Sequence, residues 1–298
     1  MSPKQKGTAL VIASALLWSI GGTIARFLTV TDPWITVFWR SFFAALFIFV
    51  FMLATEGLSE TLRMFQQMRW AAWAVAFCFA IASTSFVVAI NYTTIANILL
   101  IQASVPLLAA LMAFVFFSEK VTIPTAIAIA AVIAGVAIMV SESFNGKVSP
   151  IGDGLAVVIA VVFAIATVIS RHHHEVRMLP AVCLATVMAG AFAATHVSQF
   201  AVSLPDFFWL ILFGAVNLGL GLAVFTLGVR LIPAAFAALL GTLEPALGPI
   251  WVWLVHGEVP SLRTIIGGGV VFVALFFHLL REWQRQPDED HKEQAFSA

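Results

Sequence analysis

Glu244 stands inside a long apolar run, immediately before Pro245. The proline removes a helix hydrogen bond and frees a carbonyl close to the carboxyl group. An ionisable group in such a run is costly and needs a reason. Two reasons fit. It is a proton carrier or the partner of a substrate amino group, or it is a hydrogen-bonded structural group at a kink. Arg40 poses the same question with the opposite charge, about two turns into the second apolar run. It can attract a substrate carboxylate, snorkel to the nearer interface, or pair with a loop carboxylate such as Asp32.

Uncharged polar side chains form a second set. Ser83, Asn91 and Tyr92 cluster with Thr84 and Asn97 around the ends of the third and fourth runs, while Gln102, Asn217 and Thr242 lie deeper. Such groups either tie helices together or line a wet cavity. Trp18 lies mid-run, and Phe163 is its counterpart later in the chain. The two rings are either apolar walls for a hydrophobic side chain or helix packing, and Trp39 shares that ambiguity. Pro106, Pro245 and Gly241 are placed where a helix would hinge. His172-His173-His174-Glu175 is not read as a metal site, because adjacent helical residues diverge by about 100°. No HExxH, no paired intramembrane aspartates and no GxxxxGK[ST] occur. The expectation is therefore no enzyme, no cofactor, no metal and no direct use of ATP.

The elements that must position these residues follow from composition. The chain is 61% hydrophobic and 10% charged, with mean hydropathy +1.03, whereas a soluble domain carries about a quarter charged residues. Apolar runs of roughly 18–20 residues, enough to cross a bilayer as helix, recur along it. Period-2 alternation is missing, which leaves helices rather than a barrel. Ten spans are expected, at 7–27, 33–54, 70–90, 94–117, 122–140, 152–171, 179–197, 207–228, 233–256 and 263–280. A short surface helix is expected over 58–68, a loop around Asn145-Gly146 between the halves, and an unordered cytoplasmic tail over 281–298. A net charge of zero suggests no nucleic-acid partner. Cys78 and Cys183 fall inside apolar runs and read as buried thiols.

The chain repeats itself. An offset of 139 residues puts Pro106 on Pro245, Glu119 on Glu258 and Thr125 on Thr264, while Gly7, Trp18 and Arg26 fall on Gly152, Phe163 and Arg171. Each half, 7–140 and 152–280, then holds five spans. An odd number sends the second half through the membrane upside down. With the N-terminus inside, eleven Lys and Arg fall inside and three outside. Both termini should be cytoplasmic in a multi-pass protein of the cell membrane, here the inner membrane of a bacterium. The fold class expected is an all-α membrane protein with ten transmembrane helices as two inverted five-helix repeats.

Those features together, with Trp18-Ser19 in the first span and Phe38-Trp39-Arg40 in the second, resemble the drug/metabolite transporter superfamily, EamA branch. The resemblance covers about residues 7–280. It implies export of small metabolites or amino acids through a cavity lined by spans 1, 3, 4, 6, 8 and 9, with spans 5 and 10 peripheral. The aromatic pair adds the expectation that aromatic amino acids are among the substrates, with a cationic-amphiphile exporter as the alternative. Small-molecule substrate and lipid bilayer are then the partners. The internal repeat makes a monomer sufficient.

Overall fold

The computed structural model describes residues 2–119, 121–141, 149–173 and 176–296, with positions 234–235 and 282–296 as backbone alone. Lys120, Asn145, Gly146, Lys147, His174 and Glu175 lie outside the described residues, as do the side chains of Trp283, Arg285 and Lys292.

Helices follow from apolar runs opened by side-chain caps. Ser2 forms a capping box with Gln5, and Asp32, Thr94, Thr122, Ser149 and Ser203 each accept a backbone N–H at a helix start. The first span is α1 (Pro3–Ser19) and α2 (Gly21–Phe27), the second α3 (Pro33–Gln66), and the third α4 (Trp70–Ala89). The fourth is α5 (Ile95–Gln102) and α6 (Val105–Phe117), and the fifth α7 (Ile123–Val140). The second half opens with α8 (Pro150–His172) and α9 (Met178–Ala194). Its eighth span runs through α10 (Leu204–Ile211), a π-helical segment (Leu212–Leu220) and α11 (Gly221–Gly228). The ninth is α12 (Ala234–Gly241) and α13 (Leu243–His256), and the tenth α14 (Leu262–Phe296). Among the described residues, nine of these are long and apolar enough to cross a membrane; α9 is apolar but shorter, at 17 residues.

Two expectations are refined. Gly57 adopts φ 78° inside α3, a left-handed backbone that glycine tolerates, and this separates the span from the helix that follows it. That following helix buries Thr61 and Met64 and exposes Leu58 and Leu62. Where the polar tail is expected, the backbone of α14 continues as helix to Phe296.

The 139-residue offset holds in the backbone. It carries the end of α4, Ala89, onto the end of α11, Gly228, and both bounds of α5 onto those of α12. It carries Ser118, left-handed at φ 54°, onto Gly257, left-handed at φ 68°. Packing obeys the same exchange. α8 packs on α4 and α6, and α1 on α11 and α13, while α3 packs on α9 and α7 on α14. Every one of these pairs joins the two repeats. The largest apolar cluster accordingly takes Ile98, Leu99 and Leu107 from the first and Ile159, Val252 and Val271 from the second.

The α7–α14 crossing depends on two glycines. A Cβ added at Gly135 would lie 2.6 Å from the Gly267 carbonyl oxygen, and one at Gly267 would meet the Gly135 carbonyl in turn. Small residues of this kind let backbones approach where water supplies no driving force. Gly135→Val should force the helices apart and lower stability by about 1–3 kcal/mol. A reduced melting temperature of the purified protein in detergent checks this, and an unchanged one would mean the crossing adapts.

Candidate functional site

Three spans are interrupted toward their middles, and the interruptions meet. Span 1 breaks at Ile20, span 4 between Gln102 and Val105, and span 9 at Thr242. Leu99 of α5 fills the space where a Cβ at Gly248 of α13 would stand, and the Ser19 carbonyl lies 3.5 Å from the same point. The Trp251 indole N–H donates to Ser19 Oγ at 3.0 Å. The broken backbone is satisfied from span 8. Asn217, on the π-helical segment, donates from Nδ2 to the carbonyls of Leu17 (2.7 Å) and Trp18 (3.2 Å). A π-turn carries an extra residue and re-aims its side chains, and such segments recur at functional positions.

Gln102 and Glu244 each lie about one turn from the Leu99–Gly248 contact, on the same side of it, on two helices that pack together. Both are half-buried. Neither makes a hydrogen bond or ion pair among the described residues. Glu244 lies in the first turn of α13, where the helix dipole favours a carboxylate. An amide and a carboxylate without protein partners, at the breaks of spans 4 and 9, are suited to receive a polar ligand.

One end of the molecule is sealed above this junction. Arg26 Nε pairs with Glu258 Oε2 at 2.8 Å, joining the ends of spans 1 and 9. Arg26 also donates to the carbonyls of Ile90 (3.0 Å) and Thr93 (3.3 Å), and the Ile95 N–H donates to Glu258 Oε1 at 2.8 Å. The pair therefore straps the turn between spans 3 and 4. Beside it, the fully buried Asp153 at the start of α8 accepts from Thr93 Oγ1 (2.8 Å) and Asn97 Nδ2 (3.0 Å), and Thr264 Oγ1 donates to Asn97 Oδ1. The network ties spans 1, 4, 6, 9 and 10 together, and charge-assisted bonds of this kind are the strong ones.

The opposite end is open. A cavity of about 1570 Å³ is bounded by Pro106, Ala109 and Ala110 of α6, by Ala238 of α12 and by α7 and α14. It runs along α14 from Ile265, next to Thr264 of the sealed end, past the span 4 break to Thr167, Arg171 and Glu119. Arg171 pairs with Glu119 at 3.3 Å, with side chains 57% and 36% exposed against 29% and 20% for Arg26 and Glu258. Spans 5 and 10 border this space with exposed apolar side chains, among them Ile127, Ile266, Val273 and Phe277.

Of the candidate substrate-binding and gating residues, Pro106 alone lines that cavity, while Gln102, Gly241 and Glu244 flank the two breaks. A Cβ at Gly241 would meet open space, and Pro245 is buried in α13. Thr242 is buried and donates to its own helix at the Leu239 carbonyl. Asn217 serves the span 1 break rather than a wet wall. Arg40 neither snorkels nor meets Asp32. It is 6% exposed, donates to Ser83 Oγ at 2.8 Å and lies 4.3 Å from the Phe213 ring centroid, while Asp32 caps the Trp34 N–H. Trp39 donates to the Phe200 carbonyl within a patch holding Phe42, Phe43 and Phe207. Trp18 packs on Phe225 and Phe163 on Phe79, each at 5.1 Å. Asn91 and Tyr92 are exposed in the turn after α4, Asn91 bonded back to the Val87 carbonyl. His172 pairs with Glu119 and His173 meets the Trp70 ring edge-on. No metal-holding group occurs among the described residues.

Sequence reading missed Asp153. It follows Gly152 of the repeat match directly, and an acid opening a span is itself a signal. Asn217→Ala should remove the side-chain donor from the Leu17 and Trp18 carbonyls at the span 1 break and destabilise the fold by about 1–2 kcal/mol. Asn217→Asp, unable to donate when ionised, should do at least as much harm. Melting curves of the two variants against wild type test this, and equal stability would remove Asn217 from the junction.

Comparison with known proteins bears on the whole chain. The EamA-like transporter family model matches residues 5–141 and again 150–280. No curated protein sequence matches. Among solved structures, one described as the crystal structure of a protein aligns with TM-score 0.61 over 91% of this chain and 95% of that one. Its 17% identity supports the fold alone. Two matched copies of the family model, laid on the two halves that the backbone itself repeats, show that this chain belongs to the EamA-like transporter family, a membrane transporter of small molecules.

Proposed function

We propose that the protein is a secondary transporter that exports small amphipathic metabolites, amino acids including aromatic ones, from the cytoplasm by alternating access. The observation that carries this reading is the pair Gln102 and Glu244. They are polar, half-buried and uncommitted, at the meeting point of three broken spans, below a sealed end and above an open one. Broken helices near mid-depth are the usual material of such sites, because freed backbone and helix ends face the ligand. In this reading Glu244 receives the substrate amino group and Gln102 hydrogen-bonds its polar end.

The distribution of Lys and Arg supports an orientation with both termini in the cytoplasm of a bacterial cell. The open cavity then faces the cytoplasm and the Arg26–Glu258 end faces outward. The pseudo-two-fold between the repeats is internal, so one chain suffices. A second reading, export of cationic amphiphiles, is favoured by the same carboxylate together with a cavity of mostly apolar walls.

Counterflow of labelled tryptophan, threonine and a quaternary ammonium cation into liposomes holding the purified protein separates the two, run with and without a proton gradient. The expected result is amino-acid flux without cation flux, reduced about tenfold or more by Glu244→Gln, a loss of ~1.4 kcal/mol in binding. Cation flux alone would support the second reading. Unchanged flux in Glu244→Gln would make the carboxylate structural. A flux that loses its gradient dependence in that variant would make Glu244 the proton carrier.

A further inference from the structure

The sealed end shows how this fold closes, and the repeat says where the same closure must form at the other end. At the sealed end the latch has three parts. Arg26 and Glu258 pair between spans 1 and 9, the Arg26 guanidinium caps the carbonyls of Ile90 and Thr93, and Glu258 takes the N–H of Ile95, the first residue of α5. The last two parts bridge to the turn between spans 3 and 4.

The counterparts at the open end are fixed by the repeat. Arg171 stands for Arg26 and Glu119 for Glu258, and these two already pair at 3.3 Å. The turn between spans 8 and 9 stands for that between spans 3 and 4, so Ile90, Thr93 and Ile95 become Val229, Ile232 and Ala234. The surroundings are also mirrored. Gly152 of α8 lies against Tyr92 and Thr93, and Gly7 of α1 lies against Leu231 and Ile232. The receiving groups are vacant. Among the described residues no donor reaches the Val229 or Ile232 carbonyl, and α12, opened by Pro233, has no side-chain cap. The cavity separates α6 from α12, whereas their mirror images, α5 and α13, touch.

We propose that Arg171 and Glu119 form the second latch of the transport cycle. When the cavity closes, the Arg171 guanidinium donates to the carbonyls of Val229 and Ile232, and Glu119 accepts the N–H of Ala234. The pair seals that end as Arg26 and Glu258 seal the other. This rests on the alternating-access reading above. The two latches are unequal. Asp153, which reinforces the first through Thr93 and Asn97, has Thr8 as its counterpart, and the second turn carries Arg230, a like charge to Arg171, where the first has Asn91. The chain therefore rests with the Arg26–Glu258 end shut.

Spin labels at Asn91 and Val259 report one end and labels at Phe116 and Leu231 the other, in the full chain with Cys78 and Cys183 replaced by alanine. Arg26→Ala should lengthen the first distance and produce a shortened component in the second. Arg171→Ala alone should leave both resting distances as they are. Arg171→Ala in the Arg26→Ala background should abolish the shortened component, and Arg171→Lys, which keeps a donor, should restore part of it. A shortened component that survives Arg171→Ala in that background overturns the latch and leaves alternating access intact. If no second component appears in any variant or with substrate, while wild-type protein transports, alternating access itself fails. Helical circular dichroism of each variant confirms that it has folded.

Discussion

Hydrocarbon offers no hydrogen bonds, so every backbone N–H and C=O inside the bilayer must find its partner within the protein. This chain interrupts three of its spans near mid-depth and widens a fourth into a π-helix, and each interruption carries its own repair. Ser19 donates to the Leu16 carbonyl (2.8 Å), Ser104 to Ile101 (2.6 Å) and Thr242 to Leu239 (2.7 Å). Each is a hydroxyl at a break returning a hydrogen bond to the carbonyl three residues earlier. Asn217 completes the set from a neighbouring span. With the backbone repaired locally, the halves of a broken span can pack differently. α5 rests on α13, and α6 faces an open cavity.

The same accounting separates the two ends. At the sealed end, carboxylate and guanidinium have left much of their water, and the neighbouring Asp153 is fully buried. Such charges are tolerable only when their remaining hydrogen-bonding capacity is met. It is met by two carbonyls, one N–H, one hydroxyl and an amide of the first repeat, and Thr264 of the second in turn donates to that amide's oxygen. At the open end Arg171 and Glu119 keep their water, and an exposed pair of that kind contributes about 0–1 kcal/mol. One backbone architecture thus carries two ion pairs of different strength at its two ends.

Backbone pseudo-symmetry does not extend to chemistry. Arg40 is buried against Phe213 and Ser83, while Val187, at the corresponding place in the second half, is 52% exposed. Glu244 corresponds to Val105 and Gln102 to Gly241, so the junction holds one carboxylate and one amide rather than two of each. In the proposed site the two groups are therefore chemically unlike, an asymmetry that the backbone repeat does not have.

Much was legible in the amino-acid order alone. Runs of apolar residues long enough to cross a bilayer determine helices, and a 139-residue offset of prolines and glutamates determines two repeats of five. Their odd number determines the inversion. The breaks beside Pro106 and Pro245 were likewise visible, since a missing N–H is a local property. What the tertiary structure decided is which polar groups are spent on the protein itself. Arg40, Asn217, Trp39 and Thr242 looked as available as Glu244 and Gln102 in one dimension. The first four are committed to aromatic faces or carbonyls, three of those partnerships spanning more than 160 residues of sequence. Whether a buried polar group is free for a ligand depends on what lies a few ångströms away in space. The spacing of residues along a helix does not encode that, because the neighbours come from the other repeat.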